Sequence, residues 1–165
     1  MEVTSPTIYY WKKTFFSNSY KVFKKEEKVG LLSQKWFSQD ARAKIGLEEL
    51  SFKSYSIFSS EINIIDKNNI HIGRIKYNIW KTEADIQLNG DNYYCKMDGF
   101  FSFNVVVRKS KINPTGLIIV KGNSQKGEVQ DYHNNSKLIL CGIYLMNYYI
   151  EFWVSLILIG FLLYI

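Results

Sequence analysis

LILCGIYLMNYYI, residues Leu138 to Ile150, carries one strongly polar side chain, Asn147, and that residue belongs to no polar stripe. A helix without a wet face must be enclosed on every side, by protein or by lipid. What the preceding 137 residues build around this segment therefore decides the fold.

They read as short strands. In Ala84 to Met97, ADIQLNGDNYYCKM, the residues Ala84, Ile86 and Leu88 alternate with Asp85 and Gln87. Asn89-Gly90 supplies the positive φ angles of a tight hairpin, and Tyr93, Cys95 and Met97 resume the alternation. A weaker version runs from Ala41 to Ser54 and turns near Gly46. The two belong to an internal repeat: Gly30, Gly73 and Gly116 are 43 residues apart and each follows a polar stretch, which reads them as turn devices. In the same register Ala41 falls on Ala84, Lys53 on Lys96, Phe58 on Phe101 and Ser59 on Ser102, and Trp36-Phe37 faces Ile79-Trp80. Each unit holds four strands, so roughly three units give about twelve. The third unit degrades after Val120, leaving a weak strand around Gly127–Gln130 and a loop, with Ser136 as the expected N-cap of the helix.

The two features explain each other. About eight strands close a bore that side chains alone fill, and wider barrels need contents. The expected fold is mainly β: a closed antiparallel barrel of about twelve strands around a central hydrophobic C-terminal helix. The competing reading is a membrane span over Leu138 to Ile165. It would place Glu151 near mid-membrane, and the stretch after Glu151 has only 14 residues, against roughly 20 for a span. A helix ending near Glu151 would put that charge at the barrel mouth. Phe152 to Ile165 then packs on the barrel's outside, dimerises or dips into a membrane surface.

Composition agrees with a globular β protein. Hydrophobic residues are 47% of the chain and aromatics 16%, mostly Tyr and Phe, which fit pleated surfaces. Cys95 and Cys141 follow no ligand spacing and read as small buried hydrophobes. The opening MEVTSPTIYYWKK has no basic-then-apolar secretory pattern, which points to the cytosolic side. The net charge of +6 favours loose attraction to anionic lipid or nucleic acid.

No pattern of catalytic chemistry emerges. His71 and His133 have no Cys, Asp or Glu at metal-ligand spacing, and Glu26-Glu27 and Glu48-Glu49 fall on turns. No phosphate loop, nucleophile elbow or Cys/His pair is present. No cofactor, metal or catalytic residue is expected. Lysines interleave with rings at Trp11-Lys12-Lys13, Phe23-Lys24-Lys25, Lys35-Trp36-Phe37 and Trp80-Lys81. Single-strand nucleic-acid binders use such mixtures, but alternating strands produce the same letters, and no nucleic-acid partner is expected. Lys12, Lys13, Lys24, Lys25 and Lys28 are the candidates for lipid headgroups, each adding about 1 kcal/mol of attraction near a membrane. Phe152, Trp153, Leu156, Leu158, Phe161 and Leu162 are the candidates for membrane or partner contact.

WKKTFFSNSYKVF (Trp11 to Phe23), the repeated β units and the terminal helix with Asn147-Tyr148-Tyr149 resemble the small bacterial tubby C-terminal-like proteins, of the superfamily of tubby domains, LURP-one-related proteins and phospholipid scramblases. The resemblance spans Trp11 to Ile150 in pattern and order. It implies a twelve-stranded barrel around a hydrophobic helix, and some members of the group bind phosphoinositides or act at membranes. The expected organisation is an N-terminal arm (1–10), a barrel with its enclosed helix (11–151, helix 138–150) and an apolar tail (152–165). The leading expectation is a non-enzymatic barrel associated with membrane or lipid. The alternative is a soluble scaffold whose tail binds a partner or a second copy.

Overall fold

Asn89 and Gly90 take φ values of 52° and 86°, and across them Leu88 pairs with Asp91 in a two-residue hairpin. The positive φ at both positions matches the right-handed twist of the flanking strands. In the first repeat Gly46, at φ 58°, turns the equivalent hairpin, where Ile45 pairs with Glu48. The computed structural model describes residues 5–14, 17–35, 38–56, 59–78, 80, 82–98, 103–113 and 115–162, with Asp98 and Leu162 described in backbone only. Trp36-Phe37, Phe58, Ile79, Lys81, Phe101 and Ser102 of the sequence reading lie outside the described residues.

Twelve strands follow in order: β1 (Thr7–Lys13), β2 (Ser19–Lys24), β3 (Glu27–Gln34), β4 (Ala41–Ile45), β5 (Glu48–Ser54), β6 (Glu61–Asp66), β7 (His71–Asn78), β8 (Glu83–Leu88), β9 (Asp91–Asp98), β10 (Asn104–Arg108), β11 (Gly116–Gly122) and β12 (Lys126–Asp131). Each pairs antiparallel with its neighbour in sequence, and β12 returns to β1 to close the barrel. The closing ladder runs from Thr7 opposite Asp131 to Lys12 opposite Lys126. The weak strand read around Gly127–Gln130 is thus the one that removes both sheet edges. Thr7 to Tyr10, read as part of an arm, are strand residues of this ladder.

The repeat is structural, but its glycines are not turn residues. Gly30, Gly73 and Gly116 lie in β3, β7 and β11, four strands apart. Each sits beside a register shift, in the β2–β3, β6–β7 and β10–β11 ladders. A Cβ on Gly73 would collide with the Gln87 carbonyl, and one on Gly30 would come within 2.5 Å of the Lys44 carbonyl oxygen. A strand bent at a bulge approaches its neighbour too closely for any side chain. The polar turns precede these glycines in the sequence, which is why the two were conflated.

The helix α1 (Ser136–Leu162) begins where β12 ends. Its cap is Asn135 and not Ser136: the Leu138 amide donates to Asn135 Oδ1 at 3.0 Å. The residue that caps must stand outside the helix, and Ser136 is already its first turn. From Leu138 to Met146 every side chain is fully buried on all sides of the helix, facing Tyr20, Leu32, Leu50, Phe52, Ile62 and Ile64 of the strands. Tyr144 stacks on Phe52 with ring centroids 4.3 Å apart. The apolar segment is the content of the bore. The helix does not stop at Glu151, as the sequence reading expected, but runs on without a break to Leu162. Nothing in EFWVSLILIGF terminates a helix: no proline, and one glycine at Gly160.

Candidate functional site

Glu48 and Lys137 pair at 3.3 Å, so α1 starts at the end of the barrel that carries the β4–β5 turn. It leaves at the opposite end, among the connections β1–β2, β3–β4, β5–β6, β7–β8, β9–β10 and β11–β12. There Tyr144 donates to the Gln39 carbonyl at 2.9 Å, and Phe152 meets Trp80 edge-on, with centroids 6.4 Å apart.

The exit is collared by a polar cluster. Tyr20 donates to Asn147 Oδ1, and Asn147 Nδ2 donates to Gln34 Oε1. Gln34 Nε2 donates to the Ser38 carbonyl at 2.8 Å and to Glu151 Oε2 at 3.2 Å. Asn147 and Glu151 are four residues apart, so they share one face of the helix, which turns to β2 and β3. Buried polar groups are tolerated when their hydrogen bonds are made, and the cluster gives Asn147 its missing stripe. Burial pushes the Glu151 carboxyl above its ordinary pKa, while an Asn18 hydrogen bond and the nearby Lys13 partly offset this. The charge reaches the mouth as expected, but it is held there by side chains instead of standing free in solvent.

Past the collar the helix is uncovered. Phe152, Trp153 and Leu156 are half-buried, and Val154, Ile157, Leu158, Ile159 and Phe161 are exposed, Phe161 to 69%. The side chain of Leu162 lies outside the described residues. Among the described residues the tail continues as helix and does not fold back over the barrel. Ser136–Phe161 is long and apolar enough to cross a membrane by length and composition, and the core helix of a soluble protein passes the same test.

The five candidate lysines are not one patch. Lys24, Lys25 and Lys28 surround the β2–β3 turn, at the end where the helix starts. Lys12 and Lys13 lie at the exit end, with Lys13 Nζ 5.3 Å from the centroid of the Tyr20 ring. Lys12 has company that the sequence does not reveal. Lys21 is directly opposite it on β2, and Lys126 directly opposite on β12. Three exposed lysines thus stand in one row across three strands, and among the described residues none of them forms an ion pair. Like charges directly opposite are destabilising, by an amount within the range of about 0.2–1 kcal/mol per cross-strand pair. The row borders a groove of about 630 Å³ lined by Tyr10, Lys12, Phe23, Lys121, Lys126 and Glu128.

Cys95 and Cys141 are fully buried and form no disulfide, as their apolar surroundings predict, and burial pushes the Cys141 thiol up to about 12. His71 lies 3.0 Å from Asn63 Oδ1. Among the described residues no group of three or more His, Cys, Asp or Glu could hold a metal ion. No family model, no curated protein and no solved structure matches the chain.

Proposed function

We propose that this chain is a non-enzymatic, tubby-like barrel that associates with anionic membrane through the apolar helix beyond Glu151 and the lysines near its exit. The observation that carries the reading is the break in enclosure along one continuous helix. Leu138 to Ile150 is sheathed by strands, while Val154, Ile157, Leu158, Ile159 and Phe161 remain apolar and exposed. Contiguous apolar surface of this kind marks an interaction site. The Lys21–Lys12–Lys126 row supplies positive charge at the same end, where acidic headgroups would relieve its repulsion. The twelve strands closed around an apolar helix also support the tubby-like reading.

Co-sedimentation with vesicles of equal parts phosphatidylcholine and phosphatidylglycerol tests the proposal. The full chain is expected to pellet with them at low salt and less at high salt. Truncation after Glu151 should abolish pelleting and leave the fold intact. Lys12→Glu should weaken binding about thirtyfold, since reversing one charge changes the attraction by about 2 kcal/mol. A full chain that stays in the supernatant at low salt refutes the reading.

A further inference from the structure

The outer wall of the barrel at the β12–β1–β2 seam carries two rungs of different chemistry. Side chains alternate along a strand, so Tyr10 and Lys12 face outward on either side of the buried Trp11. Lys21 and Phe23 do the same around the buried Val22. Barrel closure then sets these residues in register. Phe23, Tyr10 and Glu128 stand opposite one another, with Lys121 opposite Glu128 in turn. Two residues along, Lys21, Lys12 and Lys126 form the lysine row. One rung offers rings and the next offers cations, about 7 Å away. The groove of about 630 Å³ lies over both, with Tyr10, Phe23, Lys12 and Lys126 in its lining. The rings and lysines that interleave in the sequence thus meet on one surface, but its platform is Tyr10 and Phe23, while Trp11 is in the bore.

The protein does not neutralise these cations itself. Among the described residues Glu128 is the one carboxylate in the groove lining, and its Oε1 accepts from Gln130 Nε2 at 2.7 Å. Among the described residues neither Glu128 nor any of Lys12, Lys21, Lys121 and Lys126 forms an ion pair. Cations held side by side without partners attract an anion. The platform beside them is also uncovered, since Tyr10 is 49% exposed. The arrangement is short. The rung beyond the rings, Ile8, Gln130 and Ile119, holds neither an aromatic residue nor a cation.

We propose that this groove binds a free nucleotide, its base lying on the Tyr10 and Phe23 rings and its phosphate on Lys12 and Lys126. Rings stack on a base through its face, and lysines hold phosphate as point charges. One sugar separates a base from its 5′-phosphate, which suits a ring rung and a cation rung that are one pleat repeat apart. Other anions match the surface less completely. Inorganic phosphate has no use for the rings. An acyl chain would have to lie against the Glu128 carboxylate, whereas a base carries N–H donors that a carboxylate accepts. A nucleic-acid strand needs a basic track along its backbone, and here the cations stop after one row. The proposal uses no residue of the helix and does not rest on the membrane association proposed above, with which it shares only the lysine row.

Isothermal titration of the full chain with AMP, at low salt and without vesicles, tests the assignment. AMP is expected to bind at a single saturable site. Adenosine and glycerol 3-phosphate each carry half of the recognised chemistry and should bind at least about tenfold more weakly. Tyr10→Phe keeps the ring and should bind AMP as the parent does. Tyr10→Leu keeps an apolar side chain without the ring and should weaken binding about fivefold or more, the worth of one stacked base. Lys12→Gln removes a charged donor to phosphate and should weaken it about tenfold. Both positions are exposed, so the melting temperature of each variant should stay at the parent value. Absence of AMP binding, equal binding of adenosine or of glycerol 3-phosphate, or affinity that survives both Tyr10→Leu and Lys12→Gln overturns the proposal. An oligoadenylate that binds more than about tenfold tighter than AMP identifies a strand-binding surface, which also overturns it. None of these outcomes involves vesicles, and a chain that ignores vesicles but binds AMP refutes the membrane reading alone.

Discussion

Replacing Asn147 with alanine tests the collar at its centre. Two fully buried or nearly buried neighbours lose their partner: the Tyr20 hydroxyl loses its acceptor, and Gln34 Oε1 loses the donor that satisfies it. Each orphaned buried group costs about 1–3 kcal/mol, so the variant should lose about 2–6 kcal/mol. At about 2–4 °C per kcal/mol for a chain of this size, a loss near the middle of that range lowers Tm by roughly 10 °C. The more telling measurement is a cycle with Tyr20→Phe. Phenylalanine has no hydroxyl to orphan, so Asn147→Ala in that background should cost about 1–3 kcal/mol less than it does in the parent. Urea denaturation followed by tryptophan fluorescence gives all four stabilities. Costs that add to within about 0.5 kcal/mol would refute the reasoning, because Asn147 and Tyr20 would then not depend on each other.

Truncation after Ser136 removes seven aliphatic side chains that the barrel buries, Leu138, Ile139, Leu140, Ile143, Leu145, Met146 and Ile150. At about 1.5–3 kcal/mol each the loss, about 10–21 kcal/mol, matches or exceeds the ordinary stability of a domain, about 5–15 kcal/mol, so calorimetry should show no cooperative melt. Glu151→Gln addresses pH. Burial raises the Glu151 carboxyl in the folded chain, so folding favours the protonated form, and stability falls as pH rises from the ordinary carboxylate range through the raised value. The variant should flatten that slope and melt above the parent at neutral pH, as Tm measured from about pH 4 to about pH 8 reads directly. Gly73→Ala should cost at least about 2 kcal/mol because its Cβ meets the Gln87 backbone. Gly46→Ala, with no atom within 4 Å but a φ of 58°, should cost about 1 kcal/mol.

The bore and its content were legible because each left a mark on the sequence at short range. Asn89-Gly90 declares its hairpin in two letters, the 43-residue period counts the strands, and Leu138 to Met146 has no face that tolerates water. The collar was not legible. Asn147 stood out as a polar residue without a stripe, but its partners Tyr20 and Gln34 lie more than a hundred residues away, and only the closed ladder brings them near. The lysine row was hidden for the same reason: Lys12 and Lys126 become neighbours through a register set by barrel closure. The glycines at 30, 73 and 116 were visible, but a bulge and a turn use the same residue, and the adjacent polar stretches favoured the wrong choice.

The seam between β1 and β12 has a consequence for how the protein is made. β1 emerges from the ribosome well before its partner β12, which is separated from it by more than a hundred residues, so during synthesis the sheet is open, with two unsatisfied margins. The helix that must end up within it is translated after the last strand. Wrapping and sealing therefore occur together, after β12 and α1 have both been released. Until then the nascent chain exposes strand edges and an unfilled apolar concavity, features that favour aggregation of incompletely folded chains.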